Sequence, residues 1–168
     1  MRRGFGPSAL ISSAAASAKV ESMEAIQQVA KLLATLSCGL FAGAAIYISL
    51  VEHPARLECG TELAVTEFGP SYRRAAVMQA SLAAIGLVSA IGAWLAGAGV
   101  WWLMGGILLG SVIPFTLVVI MPTNKQLLAP TLDKGSAQAR ELLSRWGKLH
   151  TVRSVLSGLA LVIFLLSV

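Results

Sequence analysis

The chain has 168 residues, of which 56% are hydrophobic and 12% charged, and its formal net charge is +5. A soluble domain of this length leaves much of its surface in water and cannot bury so large an apolar fraction, so the composition indicates an integral membrane protein. The basic residues lie mainly between apolar runs and form no basic stripe interleaved with aromatic residues, which argues against nucleic acid as a partner.

Residues 1–28 are predicted to be a tail that precedes the membrane domain. Residues 1–20 are rich in Ser and Ala, contain two arginines and lack acidic residues. This composition fits an organelle transit peptide or a plain disordered tail, and the sequence leaves both alternatives open.

Four apolar runs follow the tail. A helix needs about 20 mostly apolar residues to cross the hydrocarbon core of a bilayer. The segments that meet this requirement are residues 29–51, 75–97, 100–121 and 151–168. We therefore predict an all-α fold, a bundle of four transmembrane helices, formed by a single multi-pass membrane domain of residues 29–168.

The connections and small residues predict how the spans pack. Only Ala98 and Gly99 separate the second and third spans, which must therefore form an antiparallel hairpin. Pro114 predicts a kink in the third span and Pro122 its end. Glycines spaced four apart allow helix backbones to approach closely. These candidates for helix contacts are Gly39 and Gly43 in the first span, and Gly106 and Gly110 in the third.

The distribution of basic residues predicts the orientation. Four spans place both termini on one side and the two long connections, residues 52–74 and 122–150, on the other. Nine basic residues, counting Arg153 at the boundary, lie on the side of these connections, and four lie on the side of the termini. By the positive-inside rule, the long connections face the cytoplasm or an equivalent compartment, and the termini face away.

The polar residues near the spans gather at one membrane face. Ionisable groups at a span are costly, so each is a candidate functional group. Each of them ends or begins a span on the side of the long connections. They are Glu52, His53, Tyr72, Arg73, Gln79, Asn124, Trp146, His150 and Arg153. We expect them to line a pocket that opens at this face.

Helical spacing strengthens this prediction. Residues 136–168 lack proline and could form one long helix, on which Trp146, His150 and Arg153 share a face. Tyr72 and Gln79, seven residues apart, share a face of the second helix. The alternative is that Trp146, Tyr72, Arg73 and Arg153 are interfacial anchors that contact lipid headgroups.

A metal site is a second alternative for the same residues. His53, His150 and Glu52 could form a two-histidine, one-carboxylate arrangement. However, adjacent helix positions point about 100° apart, so Glu52 and His53 cannot easily face one centre. We therefore predict no metal and no cofactor.

Three short motifs resemble the anthrone oxygenase-like family of small membrane proteins. They are Glu-His-Pro-Ala at residues 52–55, Phe-Gly-Pro-Ser-Tyr-Arg-Arg-Ala at 68–75 and Trp-Gly-Lys-Leu-His-Thr-Val-Arg-Ser at 146–154. The stretch Met-Pro-Thr-Asn-Lys-Gln-Leu at 121–127 is similar as well. The resemblance covers about residues 30–168.

The resemblance implies oxidation of a polyketide anthrone to its anthraquinone by molecular oxygen. Such a reaction needs a base for an acidic ring CH₂, a cation for the developing oxyanion and an apolar slot for the rings. His150 or His53 would be the base and Arg153 the cation. The residues expected to hold the substrate are Trp146 as a stacking wall, Gln79, Asn124, Tyr72 and Glu52.

The expected partners are therefore the lipid bilayer and a hydrophobic aromatic small molecule, with O₂ as co-substrate. The alternative function is a non-catalytic membrane protein that binds a lipid or quinone, or an accessory subunit of a membrane complex. A transporter is less favoured, because no charged residue lies near the middle of a span. The sequence does not indicate an oligomeric state.

Overall fold

The computed structural model describes the backbone of residues 7–167 and the side chains of residues 17–167. Four long helical segments make up this part of the chain, which contains no strand. The first consists of Pro7–Tyr47, a π-helical turn Ile48–Glu52, and His53–Glu58. The second is Thr61–Leu95. The third consists of Val100–Gly110, Val112–Phe115, a π-helical turn Thr116–Ile120, and Met121–Leu127. The fourth is Ala137–Leu166.

All four segments are long and apolar enough to cross a membrane. Large apolar side chains cover the outside of the bundle, and Leu50, Val88 and Val118 are each about 70% exposed. Such a surface is unfavourable in water and suits lipid. The predicted all-α bundle of four membrane-spanning helices is confirmed.

The helices extend beyond the predicted spans at the side of the long connections. Residues 52–74 are predicted to be a connection, whereas in the structure the first helix continues to Glu58 and the second begins at Thr61. Hydropathy detects only the part of a helix that lies in hydrocarbon, so it misses polar helical ends. The real connection is the turn at Cys59 and Gly60, where Gly60 has φ 95°, a conformation that glycine adopts without steric cost.

At the other end of the sequence, residues 7–28 are helical and continuous with the first span. The predicted tail, residues 1–28, is thus mostly helical, and a targeting role for it stays a prediction. Met1–Gly6 lie outside the described residues.

In the fourth helix, the Ser136 hydroxyl accepts a hydrogen bond from the Ala139 amide and caps the helix start.

The expectation that Pro122 ends the third helix is wrong, because the helix continues to Leu127. Proline lacks an amide hydrogen and clashes with the carbonyl four residues earlier in an α-helix. Here the preceding turn is π-helical, and the Met121 amide bonds to the Thr116 carbonyl five residues back. In this wider turn, the proline ring avoids the carbonyl with which it would clash in an α-helix. Pro54 follows the other π-helical turn in the same way.

The four helices form a ring. Each packs against the next helix in the sequence, and the fourth packs against the first. The second and third helices approach closely at Gly106, where a Cβ would lie 2.7 Å from Ala90 Cβ, so only glycine fits there. A Cβ on Gly110 would similarly lie 2.8 Å from Leu87, whereas one on Gly39 would make ordinary contact with Leu161 at 3.8 Å. A Cβ on Gly43 would meet no described atom within 4 Å, so a close helix contact does not require glycine there.

Two hydrophobic clusters fill the bundle. One, on the side of the termini, is centred on Phe41, Trp102 and Phe164. The other, on the side of the connections, includes Phe68 and Trp146. Between them the packing is interrupted, and this interruption is the cavity described next.

Candidate functional site

A cavity of about 160 Å³ lies inside the bundle and is lined by all four helices. This is roughly ten times the volume that admits one water molecule. From Ser71 to Ala83 its lining follows the second helix for about 18 Å. Most of the lining is apolar, and four of the lining residues are alanines of the second helix. The cavity therefore suits a hydrophobic molecule with few polar groups.

His150 lines this cavity and is 2% exposed. Its Nδ1 lies 3.0 Å from the Ser49 hydroxyl of the first helix. The Ser49 hydroxyl is in turn 2.8 Å from the Ser154 hydroxyl, which donates to the Ala45 carbonyl at 2.8 Å. The imidazole is thus held at one nitrogen, and Nε2 is left for a molecule in the cavity.

Arg153 lies one helical turn beyond His150 and also lines the cavity. Its Nη2 donates to Gln79 Oε1 at 2.7 Å, and its guanidinium carbon lies 5.4 Å from the centre of the Phe41 ring. A ring face attracts a cation at this distance. Within residues 17–167 no carboxylate pairs with this guanidinium. Its positive charge is therefore free to act on an anionic group in the cavity.

Aromatic rings form the wall next to His150. The indole of Trp146 stacks on the His150 ring with centroids 4.7 Å apart, and Phe68 contacts Trp146 edge-on at 5.3 Å. Phe68 also stacks on Tyr72, whose hydroxyl faces Met121 Sδ at 3.8 Å. These rings offer a face on which a planar aromatic molecule could stack.

An ion-pair network lines the cavity on the side of the connections. Arg56 is 7% exposed and forms ion pairs with Glu52 and Glu67. The Ser71 hydroxyl donates to Glu52 at 3.0 Å and lies 3.3 Å from Arg56 Nη2. Because every carboxylate here has a partner, the network is a structural element of the cavity wall.

A family model described as anthrone oxygenase matches residues 68–163. The match covers more than half of the chain and runs from the second helix into the fourth. The chain belongs to the anthrone oxygenase family. No curated protein and no solved structure matches it. The Glu-His-Pro-Ala motif at 52–55 lies outside the matched segment.

The family segment contains five of the cavity-lining residues that the sequence singled out. These are Tyr72, Gln79, Trp146, His150 and Arg153, and the sixth, Glu52, comes from the first helix. The predicted shared faces of the second and fourth helices are therefore present. Trp146 is only 7% exposed, so it is not an anchor at the membrane surface. Arg73, in contrast, is exposed and does not line the cavity.

Two further residues of the predicted set, His53 and Asn124, do not line the cavity either. His53 contacts the Trp146 ring at 5.0 Å and faces the fourth helix at Gly147. The two histidines thus contact the same indole, but only His150 reaches the cavity. Asn124 is buried, and neither of its amide atoms has a hydrogen-bond partner among the described residues.

The sequence did not identify several residues that build the site. From the sequence, Ser49 resembles an ordinary small residue of an apolar span and Phe41 a core residue. Arg56 resembles a basic loop residue, and Ser71 and Ser154 stand out only as members of motifs. Helical spacing could have connected Ser49 and Arg56 to the site. Ser49, Glu52 and Arg56 follow one another at intervals of three and four residues, which is typical of one helix face.

The two-histidine, one-carboxylate alternative has little geometric support. Among residues 17–167, no group of three His, Cys, Asp or Glu side chains is arranged to hold a metal ion. Glu52 is paired with Arg56, and His150 Nδ1 is bonded to Ser49. The carboxylate that would have to join the two histidines at an ion therefore already has a cationic partner.

Proposed function

We propose that this member of the anthrone oxygenase family oxidises an anthrone, or a closely related phenolic ring compound, with molecular oxygen. The observation that carries the proposal is the pairing of one imidazole and one guanidinium, a helical turn apart, in an apolar cavity with aromatic walls. An acid–base group and a fixed cation are the two functions that a base-initiated oxidation requires. The family match supports the same reaction class.

His150 is the proposed base. An anthrone carries a CH₂ group between two rings, activated by the carbonyl opposite it. Removal of one proton by His150 leaves an electron-rich anion that can transfer an electron to O₂. Combination of the two radicals and uptake of a proton give a hydroperoxide at this carbon, and loss of water leaves the new carbonyl. One oxygen atom ends in the quinone and the other in water, so CH₂ plus O₂ yields C=O plus H₂O.

Arg153 and Gln79 are proposed to stabilise the anion. The negative charge of a deprotonated anthrone is concentrated on oxygen, and a guanidinium in an apolar cavity attracts it more strongly than in water. The hydrogen bond from Arg153 to Gln79 and the contact with Phe41 hold this cation in place before the substrate arrives. Trp146 would stack on the rings.

Oxygen uptake by the detergent-purified protein, measured with a panel of anthrones and hydroquinones, tests the proposal. His150→Ala should reduce turnover by about 10²–10⁴-fold, the usual effect of losing a general base. The matched control is Thr151→Val, which changes an exposed neighbour on the same helix and should leave turnover unchanged.

Two outcomes would contradict the proposal. Full turnover in the His150→Ala variant would remove the base from the mechanism. Binding of anthrones without any oxygen uptake would instead support a protein that binds an aromatic ligand or quinone without converting it.

A further inference from the structure

We propose that Ser49 and Ser154 act as positioning residues that fix the neutral His150 ring in one tautomer, with the proton on Nδ1. Nε2 is then the basic nitrogen directed to the cavity. This inference rests on the proposed function for its catalytic meaning, whereas the tautomer itself is a property of the protein alone.

The argument starts at the end of the hydrogen-bond chain. A backbone carbonyl can only accept, so the contact of 2.8 Å between Ser154 Oγ and the Ala45 carbonyl requires the Ser154 proton. The second carbonyl near this hydroxyl, that of His150 at 3.4 Å, would take the same proton. In either case Ser154 has no proton left for Ser49.

The direction of the remaining bonds follows. Ser154 Oγ must accept from Ser49, whose oxygen lies 2.8 Å away, and this uses the single proton of Ser49. Ser49 can then only accept from His150, so Nδ1 carries a hydrogen. The opposite direction would place the lone pairs of Ser154 and the Ala45 carbonyl 2.8 Å apart without a proton between them, at the cost of a buried hydrogen bond.

The arrangement links the helices that form the site. Ser49 lies in the π-helical turn of the first helix, outside the segment matched by the family model, whereas His150 and Ser154 lie in the fourth helix inside it. The first helix thus supplies the acceptor that orients a base carried by another helix. The role is comparable to that of the aspartate that orients histidine in serine proteases, with neutral hydroxyls in its place.

The proton transfer then has a defined path. Nε2 takes the proton from the substrate carbon, the C–H electron pair stays on the substrate as its anion, and the ring becomes an imidazolium. The Nδ1 hydrogen stays on its bond to Ser49, so no proton moves along the serines. Ser49→Ala removes the acceptor, and we expect the ring to populate both tautomers and turnover to fall about 10–100-fold.

The tautomer can be measured without substrate. We suggest ¹⁵N NMR of histidine-labelled protein in detergent, with the His150 signals assigned by their loss in His150→Gln. The expected result is a protonated Nδ1 and an unprotonated Nε2 in the native protein, and a mixture in Ser49→Ala. Ser49→Thr keeps a hydroxyl and should restore both the single tautomer and most of the turnover.

The matched control is Ser157→Ala, one turn from Ser154 on the same helix. Its hydroxyl bonds to backbone carbonyls of its own helix and does not contact His150, so its removal should leave the spectrum and turnover unchanged. A proton on Nε2, a doubly protonated ring, or an unchanged tautomer in Ser49→Ala would overturn the inference. Because the spectrum does not depend on catalysis, a correct tautomer without oxygen uptake would count against the proposed function only.

Discussion

Replacing Gly147 by alanine tests how the aromatic wall of the cavity is supported. A Cβ at this position would lie 2.6 Å from His53 Nε2 and 2.8 Å from its Cδ2, about 1 Å closer than ordinary contact. His53 is 6% exposed and packs against Trp146, which packs against His150. The added methyl group should therefore displace His53 and, through Trp146, the wall next to the base.

The expected magnitude follows from two opposing effects. Overpacking of a filled interior costs about 1–3 kcal/mol, whereas alanine gains about 1 kcal/mol over glycine in a helix interior. Gly147→Ala should therefore lower the free energy of unfolding by about 1 kcal/mol. Gly158 is the matched control on the same helix, because a Cβ there meets no atom within 4 Å, and Gly158→Ala should not destabilise. Unfolding in mixed micelles, followed by circular dichroism, measures both.

A second substitution identifies the cause. His53→Ala removes the ring that the new methyl group would meet, so Gly147→Ala in that background should behave like Gly158→Ala. The change in the free energy of unfolding caused by Gly147→Ala is compared with and without His53. The difference between these two changes is the coupling free energy of the pair. If Gly147→Ala is equally harmful with and without His53, or harmless in both, the steric reasoning is wrong. His53→Ala alone should keep substantial turnover, because this ring does not line the cavity.

Three further predictions concern charge, orientation and metal. Arg153→Lys keeps the cation but loses the planar guanidinium, so oxygen uptake should fall less than in Arg153→Ala, and equal losses would contradict an electrostatic role. Cys59 is exposed in the turn between the first two helices and Cys38 is buried, so a membrane-impermeant thiol reagent should label the native protein at Cys59 from the cytoplasmic side only; labelling from the opposite side would reverse the predicted orientation. Chelators should leave turnover unchanged, and a loss that added metal restores would instead favour a metal-dependent mechanism.

The sequence predicted the bundle because its apolar helices are detected by hydropathy. The ends of the apolar runs place His150 and Gln79 at one membrane face, and helical spacing places Trp146 and Arg153 beside His150. These are local properties of single helices. In the structure all four residues line one cavity, whereas their position at one membrane face stays a prediction.

Contacts between helices were not predictable in the same way. The Ser49 hydroxyl meets His150, 101 residues later in the chain, and nothing in its own span distinguishes it from a small packing residue. Arg56 has the composition of a loop cation, yet ion pairs keep it buried. His53 adjoins Glu52 in sequence, but neighbouring helix positions point in different directions, and only Glu52 reaches the cavity.

The two π-helical turns, Ile48–Glu52 and Thr116–Ile120, mark the places where these helices can change length. A π-helical turn holds about one residue more than an α-helical turn, so it acts as a one-residue insertion absorbed inside a continuous helix. Deletion of one residue there would convert the turn to α-helix and keep the residues on either side in nearly their present orientation. Deletion of one residue elsewhere in the first helix would instead rotate the two flanking parts relative to each other by about 100°. Loops usually absorb such changes of length, whereas here the π-helical turns can do so inside a helix that packs the bundle with one half and builds the site with the other.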